Sequence, residues 1–219
     1  MSRTKFTPMV LRWTAALAAA LSLSACAPLI LGTAVGSAFV ATDRRTSGMQ
    51  LEDQGIKLKA RNRIQDAIKD RGHVSVNAYN RMVLLTGEVP TDADRAAAAE
   101  AAGQTENVSG VVNELIVSLN STLTSRSSDL LVATKVRATL VDARDLMSNA
   151  FDVVVERGEV YMMGMVTERE ANRAAELVST ISGVRRVVKV FQIISEDDLA
   201  RKLPRPMSGS TNESSSAQP

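Results

Sequence analysis

The chain repeats one pattern of apolar and polar residues, and this repeat limits the folds that it can adopt. Residues 74–89 (VSVNAYNRMVLLTGEV) and 151–166 (FDVVVERGEVYMMGMV) both alternate apolar with other residues, break at a short polar turn, and alternate again as far as a glycine and a valine. Alternation with a period of two, interrupted by a short turn, is typical of a β-hairpin. We therefore predict one hairpin in each half of the chain.

Each predicted hairpin lies in the same succession of elements. A helix precedes it, a second helix that opens with a threonine suited to N-capping follows it, and a Ser-Gly turn then leads into a last strand. These elements cover residues 52–69, 91–104 and 108–117 in the first half, and 129–142, 167–180 and 181–194 in the second. A period of about 75 residues is too long for a solenoid and fits two small domains in tandem. The predicted fold is α+β, with the unit αββαβ used twice.

Composition places the boundaries between these units. A polar stretch rich in Ser and Thr predicts a linker at 119–127, between a first domain at 51–118 and a second at 128–195. Residues 196–219 are rich in Pro, Gly and Ser, which predicts a disordered tail. Aromatic residues make up only 3% of the chain, so both cores must be built from aliphatic residues and methionine.

The only cysteine, Cys26, ends a stretch that is typical of a secretory signal. Basic residues at the N-terminus are followed by an apolar run at 13–23 and then by small residues. The sequence Leu23-Ser24-Ala25-Cys26 matches the bacterial lipobox, in which the thiol receives a diacylglyceryl group before cleavage. We predict a lipoprotein signal peptide at 1–25 and a lipidated apolar leader at 26–50, anchored through Cys26.

An uncleaved signal anchor is the alternative. No charged residue occurs from 13 to 42, and this stretch is long enough to span a bilayer as a helix. After cleavage only 27–42 would remain, which falls short of the roughly 17 residues that a spanning helix needs.

The charge and the rare residue types exclude several classes of function. The formal net charge of +2 becomes −1 when the signal peptide, with three basic residues and no acid, is removed, so a nucleic-acid partner is not expected. A structural zinc site needs about four N or S ligands, and the chain has one cysteine and one histidine, His73. No phosphate-binding loop or catalytic carboxylate pair is present in the sequence. We predict no enzyme activity, no metal and no cofactor apart from the covalent lipid on Cys26.

The repeated unit resembles the BON domain, and two such units behind a lipobox resemble the dual-BON outer-membrane lipoproteins of the DolP family. The segments that carry the resemblance are GTAVGSAFVATDRR, TKVRATL and GEVYMMGMVTEREANRAAELVSTISGVRRV. The resemblance implies a small mixed sheet with two helices in each domain. It also implies a protein of envelope integrity whose second domain binds anionic phospholipid through its first helix. Ala27 after the lipidated cysteine is associated with sorting to the outer membrane, where the protein would face the periplasm.

The first helix of the second domain, predicted at 129–142, has two apolar faces. At about 100° per residue, Val132, Val136 and Leu140 share one face, which is predicted to pack on the sheet. The opposite face is also apolar and has a cation at each edge. Its residues, the predicted phospholipid-binding set, are Leu130, Leu131, Thr134, Lys135, Arg137, Ala138 and Val141. Apolar groups between cations suit the surface of an anionic bilayer. Leu131 stands where the family's helix can present a tryptophan.

Two other interpretations of this face remain open. Leu130 and Leu131 could cover the core of their own domain or pack on the first domain. An exposed apolar patch also marks protein partners, so the competing function is a docking adaptor for an outer-membrane assembly or cell-division machine.

Three further sets of residues carry weaker expectations. In the first domain, the first helix is predicted to present a solvated outer face beyond the buried residues Ile56, Ala60, Ile64, Ala67 and Ile68. The cluster of Arg185, Arg186 and Lys189 is predicted to be a solvated strand edge. Glu168 and Glu170 are predicted to favour a helix N-terminus.

Overall fold

The computed structural model describes residues 43–119 and 121–202. The predicted signal peptide, Cys26 and most of the predicted leader lie outside these residues, as does the tail from residue 203. The described residues from Arg44 onward belong to one compact unit.

The predicted αββαβ order occurs twice. The first domain consists of α1 (Ser47–Ile68), β1 (His73–Tyr79), β2 (Met82–Val89), α2 (Asp92–Gly103) and β3 (Gly110–Val117). The second consists of α3 (Leu123–Asp142), a 3₁₀ turn (Ser148–Ala150), β4 (Phe151–Glu156), β5 (Glu159–Val166), α4 (Glu168–Ser179) and β6 (Arg186–Ile193), followed by α5 (Glu196–Lys202). The middle strand of each sheet pairs antiparallel with its hairpin partner and parallel with the last strand. The predicted α+β class with two small mixed sheets is confirmed.

Three element boundaries differ from the sequence prediction. Helix α1 begins inside the predicted leader, because the Thr46 side chain accepts a hydrogen bond from the Met49 amide and caps the helix there. Helix α3 begins at Leu123, inside the predicted linker, with Thr122 as its cap. The tail predicted to be disordered from residue 196 starts with helix α5, where the Asp198 amide donates to the Ser195 hydroxyl.

Each domain has its own core between its two longer helices and one face of its sheet. In α1 the predicted buried residues Ile56, Ala60, Ile64 and Ile68 are confirmed, whereas Ala67 is exposed. In α3, Val132, Val136 and Leu140 are buried as predicted.

The other faces of the two sheets pack against each other. Tyr79 and Leu84 of the first domain form a third buried cluster with Tyr161, Met163 and Met165 of the second. Because side chains alternate along a strand, Met163 faces this cluster while Met162 belongs to the core of the second domain. Both central strands are thus covered on two sides, which explains why β2 and β5 are buried at every position after the first. The two sheets form the inner layers, and the longer helices lie outside them.

A buried aspartate of the first helix holds each hairpin turn. Asp53 accepts hydrogen bonds from the amides of Asn80 and Arg81, both at 2.8 Å. Asp129 accepts equivalent bonds of 2.8 Å from the turn at residues 157 and 158. Both residues of each turn have positive φ, as in a two-residue hairpin loop. Their two neighbouring amides need an acceptor, and one aspartate serves both. These carboxylates tie each hairpin to the helix that precedes it.

Candidate functional site

The structure places the whole predicted phospholipid-binding set on the exposed side of α3. Leu130 and Leu131 are each 66% exposed, and Val141 is 68% exposed. Thr134 and Ala138 lie between them and are exposed too. The Thr134 hydroxyl donates to the Leu130 carbonyl at 2.9 Å, so its polar group is satisfied within the helix. The face is therefore a continuous patch that offers methyl groups to a partner.

The two cations at the edges of this patch lack carboxylate partners among the described residues. Lys135 Nζ donates to the Ser182 carbonyl at 3.4 Å, and Arg137 Nη2 donates to the Val153 carbonyl at 2.9 Å. A carbonyl oxygen orients a cation without neutralising it. Both positive charges thus remain available to an anion, with the Arg137 guanidinium held over the edge of β4.

A groove of about 390 Å³ runs beside α3, between the edge strands of the two domains. Arg126, Leu130 and Arg137 line it on the helix side, and His73 at the start of β1 lies opposite. Glu156 also lines the groove, and its pKa is raised by burial first and then by the charges of Glu88 and Asp129. The pattern of a single helix did not predict this groove, because its walls come from both domains.

Comparison with known proteins identifies the two repeated units. The family model described as BON domain matches residues 52–118 and 128–195.

The chain belongs to the BON domain family.

Outer membrane lipoprotein DolP of Haemophilus influenzae is 38% identical over 181 residues, which cover 81% of this chain and 93% of that protein. The 21 kDa hemolysin of Actinobacillus pleuropneumoniae is 29% identical over 154 residues, which cover 69% of this chain and 79% of that protein. The solved C-terminal domain of CdsD, a structural protein of the Chlamydia trachomatis type III secretion system, covers 61% of this chain and 96% of that domain at 12% identity. Its TM-score of 0.28 is too low to carry an argument.

The resemblance to the dual-BON outer-membrane lipoproteins is confirmed, together with a lipid-anchored location at the outer membrane. The attachment of that lipid at Cys26 stays a prediction, since this residue lies outside the described part of the chain.

The outer face of α1 in the first BON domain matches its prediction in part. Lys59, Arg61 and Arg63 are exposed as predicted, but Leu51 is also 76% exposed and Leu58 is 60% exposed. These leucines lie about two turns apart with Gly55 between them, whereas Leu130 and Leu131 are adjacent. The two BON domains therefore differ less in apolar exposure than the sequence indicated, and Leu58 offers a matched control for Leu131.

The basic cluster of the second BON domain is not simply a solvated strand edge. Arg186 Nη2 lies 2.9 Å from Glu114 of the first BON domain and 2.6 Å from Glu159 of its own. The hydrogen bonds that Arg186 donates to Glu159 and then to Glu114 raise the pKa of Arg186, and Arg186 in turn lowers the pKa of Glu159. Lys189 donates to Asn172 at 3.2 Å. Arg186 thus connects the two BON domains.

Glu170 has the predicted role at the start of α4 and a second one. Its carboxylate accepts a hydrogen bond from the Thr167 amide in a capping box. It also pairs with Arg44, upstream of both BON domains. Burial would raise its pKa, but the hydrogen bonds from Arg44 and Thr167 outweigh this effect and lower it. No sequence pattern predicts this pair, because its members are 126 positions apart.

Within the described residues, no helix is long and apolar enough to cross a bilayer. In the same part of the chain, no group of three or more His, Cys, Asp and Glu side chains is placed to hold a metal ion.

Proposed function

We propose that this dual-BON lipoprotein is non-catalytic, binds anionic phospholipid through α3 of its second BON domain, and thereby supports the integrity of the cell envelope. The observation that carries the proposal is the exposed patch of Leu130, Leu131 and Val141 with Lys135 and Arg137 at its edges. A soluble domain gains nothing from exposing adjacent leucines to water, so such a patch points to a partner.

The patch is suited to the boundary between headgroups and acyl chains. An aliphatic side chain that moves fully from water into an apolar phase gains about 1.5–3 kcal/mol. Since the three aliphatic residues are about two-thirds exposed, each would contribute roughly 1–2 kcal/mol. Each cation near an anionic surface adds about 1 kcal/mol. The two kinds of contact are complementary. The aliphatic side chains insert below the headgroups, and the cations select for negatively charged lipid.

The gross gain is modest once the cost of association is subtracted, which for two free molecules is at least about 4 kcal/mol. Anchoring through the proposed lipid on Cys26 would remove much of that cost, because the helix is then confined near the membrane at a high effective concentration. The mechanism is double attachment: the acyl chains hold the protein at the membrane, and α3 responds to the lipid charge beneath it.

A protein-docking adaptor for an outer-membrane assembly machine is the second candidate. It is favoured by Leu131, which lacks the amphipathic ring that suits a membrane interface. The exposed Leu51 and Leu58 on the first BON domain would give an adaptor a second contact surface.

Vesicle flotation separates the two candidates. The chain from Asp43 onward, which lacks the lipid and keeps the contacts of Arg44, is mixed with vesicles of phosphatidylglycerol or of phosphatidylcholine. The lipid mechanism requires flotation with the anionic vesicles that weakens as salt is raised, because salt screens the cations. Equal flotation with both lipids would reject it and leave the adaptor.

A further inference from the structure

We propose that Arg44 and Arg45 form a strap that fastens the segment before the BON domains to both of them and holds their sheets together. Both arginines lie outside the two segments that match the family model, whereas the residues that they contact lie inside them. It also does not depend on lipid binding by α3.

Arg44 binds the second BON domain. Its Nη1 and Nη2 donate to the two carboxylate oxygens of Glu170 at 2.8 and 2.7 Å, and Nη1 also donates to the Met165 carbonyl at 2.8 Å. The two side chains of this ion pair are 3% and 5% exposed. A bidentate pair has a fixed geometry. The residues that it contacts, at the end of β5 and the start of α4, therefore have a defined position relative to residue 44.

Arg45 binds the first BON domain. Its Nη1 lies 2.8 Å from Oδ2 of Asp53, the carboxylate that also holds the β1–β2 turn. Its guanidinium carbon lies 3.9 Å from the centre of the Tyr79 ring. Tyr79 belongs to the cluster between the sheets. Because neighbouring residues of one chain segment contact different domains, the segment cannot stay bound while the domains move apart.

The other polar contacts between the domains offer less restraint. Arg157 lies 3.3 Å from the buried Glu88, and Arg186 lies 2.9 Å from Glu114, but both arginines are well exposed to solvent. Asn80 Nδ2 also donates to Gln192 Oε1 across the same boundary. Ion pairs with an exposed partner contribute less than a bidentate pair in which both side chains are buried in a fixed geometry. The short linker after β3 would by itself allow one domain to rotate against the other, as is usual for domains joined by a chain. The strap supplies a second, non-covalent connection across the seam between the two sheets, which is the cluster that contains Tyr79, Met163 and Met165. The buried pair of Arg44 and Glu170 fixes the relative position of the two domains.

The strap also determines where the membrane tether meets the protein. The chain that comes from the predicted anchor reaches the two BON domains at Arg44 and Arg45, at the seam between them. A force on the tether would act on both domains together.

Methionine oxidation measures the opening of the seam directly. Met163 and Met165 face the cluster between the sheets, whereas Met162, the residue before Met163, faces the core of the second BON domain. Separation of intact domains would expose Met163 and Met165 and leave Met162 covered. The lipidated full chain in detergent is treated with hydrogen peroxide, and the oxidation rate of each methionine is measured by mass spectrometry.

The variant to test is the double substitution Arg44→Gln with Glu170→Gln, which removes the ion pair without leaving a buried charge alone. We expect Met163 and Met165 to oxidise at least about tenfold faster than in the unaltered protein, because oxidation of a buried group follows the open population. The oxidation rate of Met162 should not change. Arg45→Gln should raise the oxidation rates of the same two methionines.

Arg173→Gln is the matched control, since Arg173 pairs with Asp145 on the outer side of the same domain and does not cross the seam. Unchanged rates at Met163 and Met165 in the double variant would overturn the strap. An equal rise in the oxidation rate of Met162 would overturn the strap as well, because the Arg44–Glu170 pair would then stabilise the fold of the second domain alone.

Discussion

Replacing Leu131 with glutamate tests the proposed lipid contact most directly. Leu131 is 66% exposed and points away from the core of its domain. Loss of its insertion removes about 1–2 kcal/mol, and a negative charge near an anionic surface costs about 1 kcal/mol more. The sum of roughly 2–3 kcal/mol corresponds to about a 30- to 150-fold weaker affinity.

The assay is a titration of the unlipidated chain from Asp43 with phosphatidylglycerol vesicles, followed by flotation. Leu58→Glu on α1 introduces the same change at a leucine of similar exposure in the first BON domain. We expect this control to bind like the unaltered chain, because α1 and α3 lie on opposite outer sides of the packed sheets and cannot both face one membrane.

The stability of both variants must be measured alongside. Surface substitutions away from special contacts usually change the free energy of unfolding by less than about 0.5 kcal/mol, so the melting temperatures of the two variants should nearly coincide with that of the parent. Undiminished binding by Leu131→Glu would refute the role of α3. Equal losses in Leu131→Glu and Leu58→Glu would show that the added charge alone is responsible and that the patch is not the site.

Three further outcomes are expected. Cys26→Ala should abolish palmitate labelling of the protein; persistent label would contradict the lipobox. Lys135→Glu should weaken binding to anionic vesicles most at low salt, whereas Arg61→Glu should have little effect, and equal losses would argue against a specific edge cation. Glu156 has a raised pKa in the folded protein, so its favourable contribution is present below its unfolded pKa and is lost as the pH rises through its folded pKa. Glu156→Gln should therefore raise the melting temperature at pH 7 and lose this advantage near pH 4; a constant advantage would exclude the proton linkage.

Sequence patterns were most informative where the physical cause is local. The two hairpins follow from alternation with a period of two, and the buried faces of α1 and α3 follow from the helical period. The exposed patch on α3 was predicted for the same reason, because a helix that buries Val132, Val136 and Leu140 must turn Leu131 outward.

Local patterns failed at the ends of elements and at isolated residues. Helix α3 starts at Leu123 because Thr122 caps it, yet the surrounding Ser and Thr residues are also typical of a linker. The exposure of Leu51 and Leu58 was missed because charged residues lie beside them in the sequence, two acids after Leu51 and a lysine on each side of Leu58, and these residues indicated a solvated face.

The sequence by itself therefore determined two BON folds and the face that each first helix buries, since both depend on periods that a few neighbouring residues establish. Only the tertiary structure decided how the two folds meet. Alternation shows that a strand has two faces, but it does not show whether the second face meets water or another sheet, and Met163 and Met165 are buried by residues of the other domain. The same holds for Arg44 and Glu170, whose bond spans 126 positions and depends on the packing that brings them together.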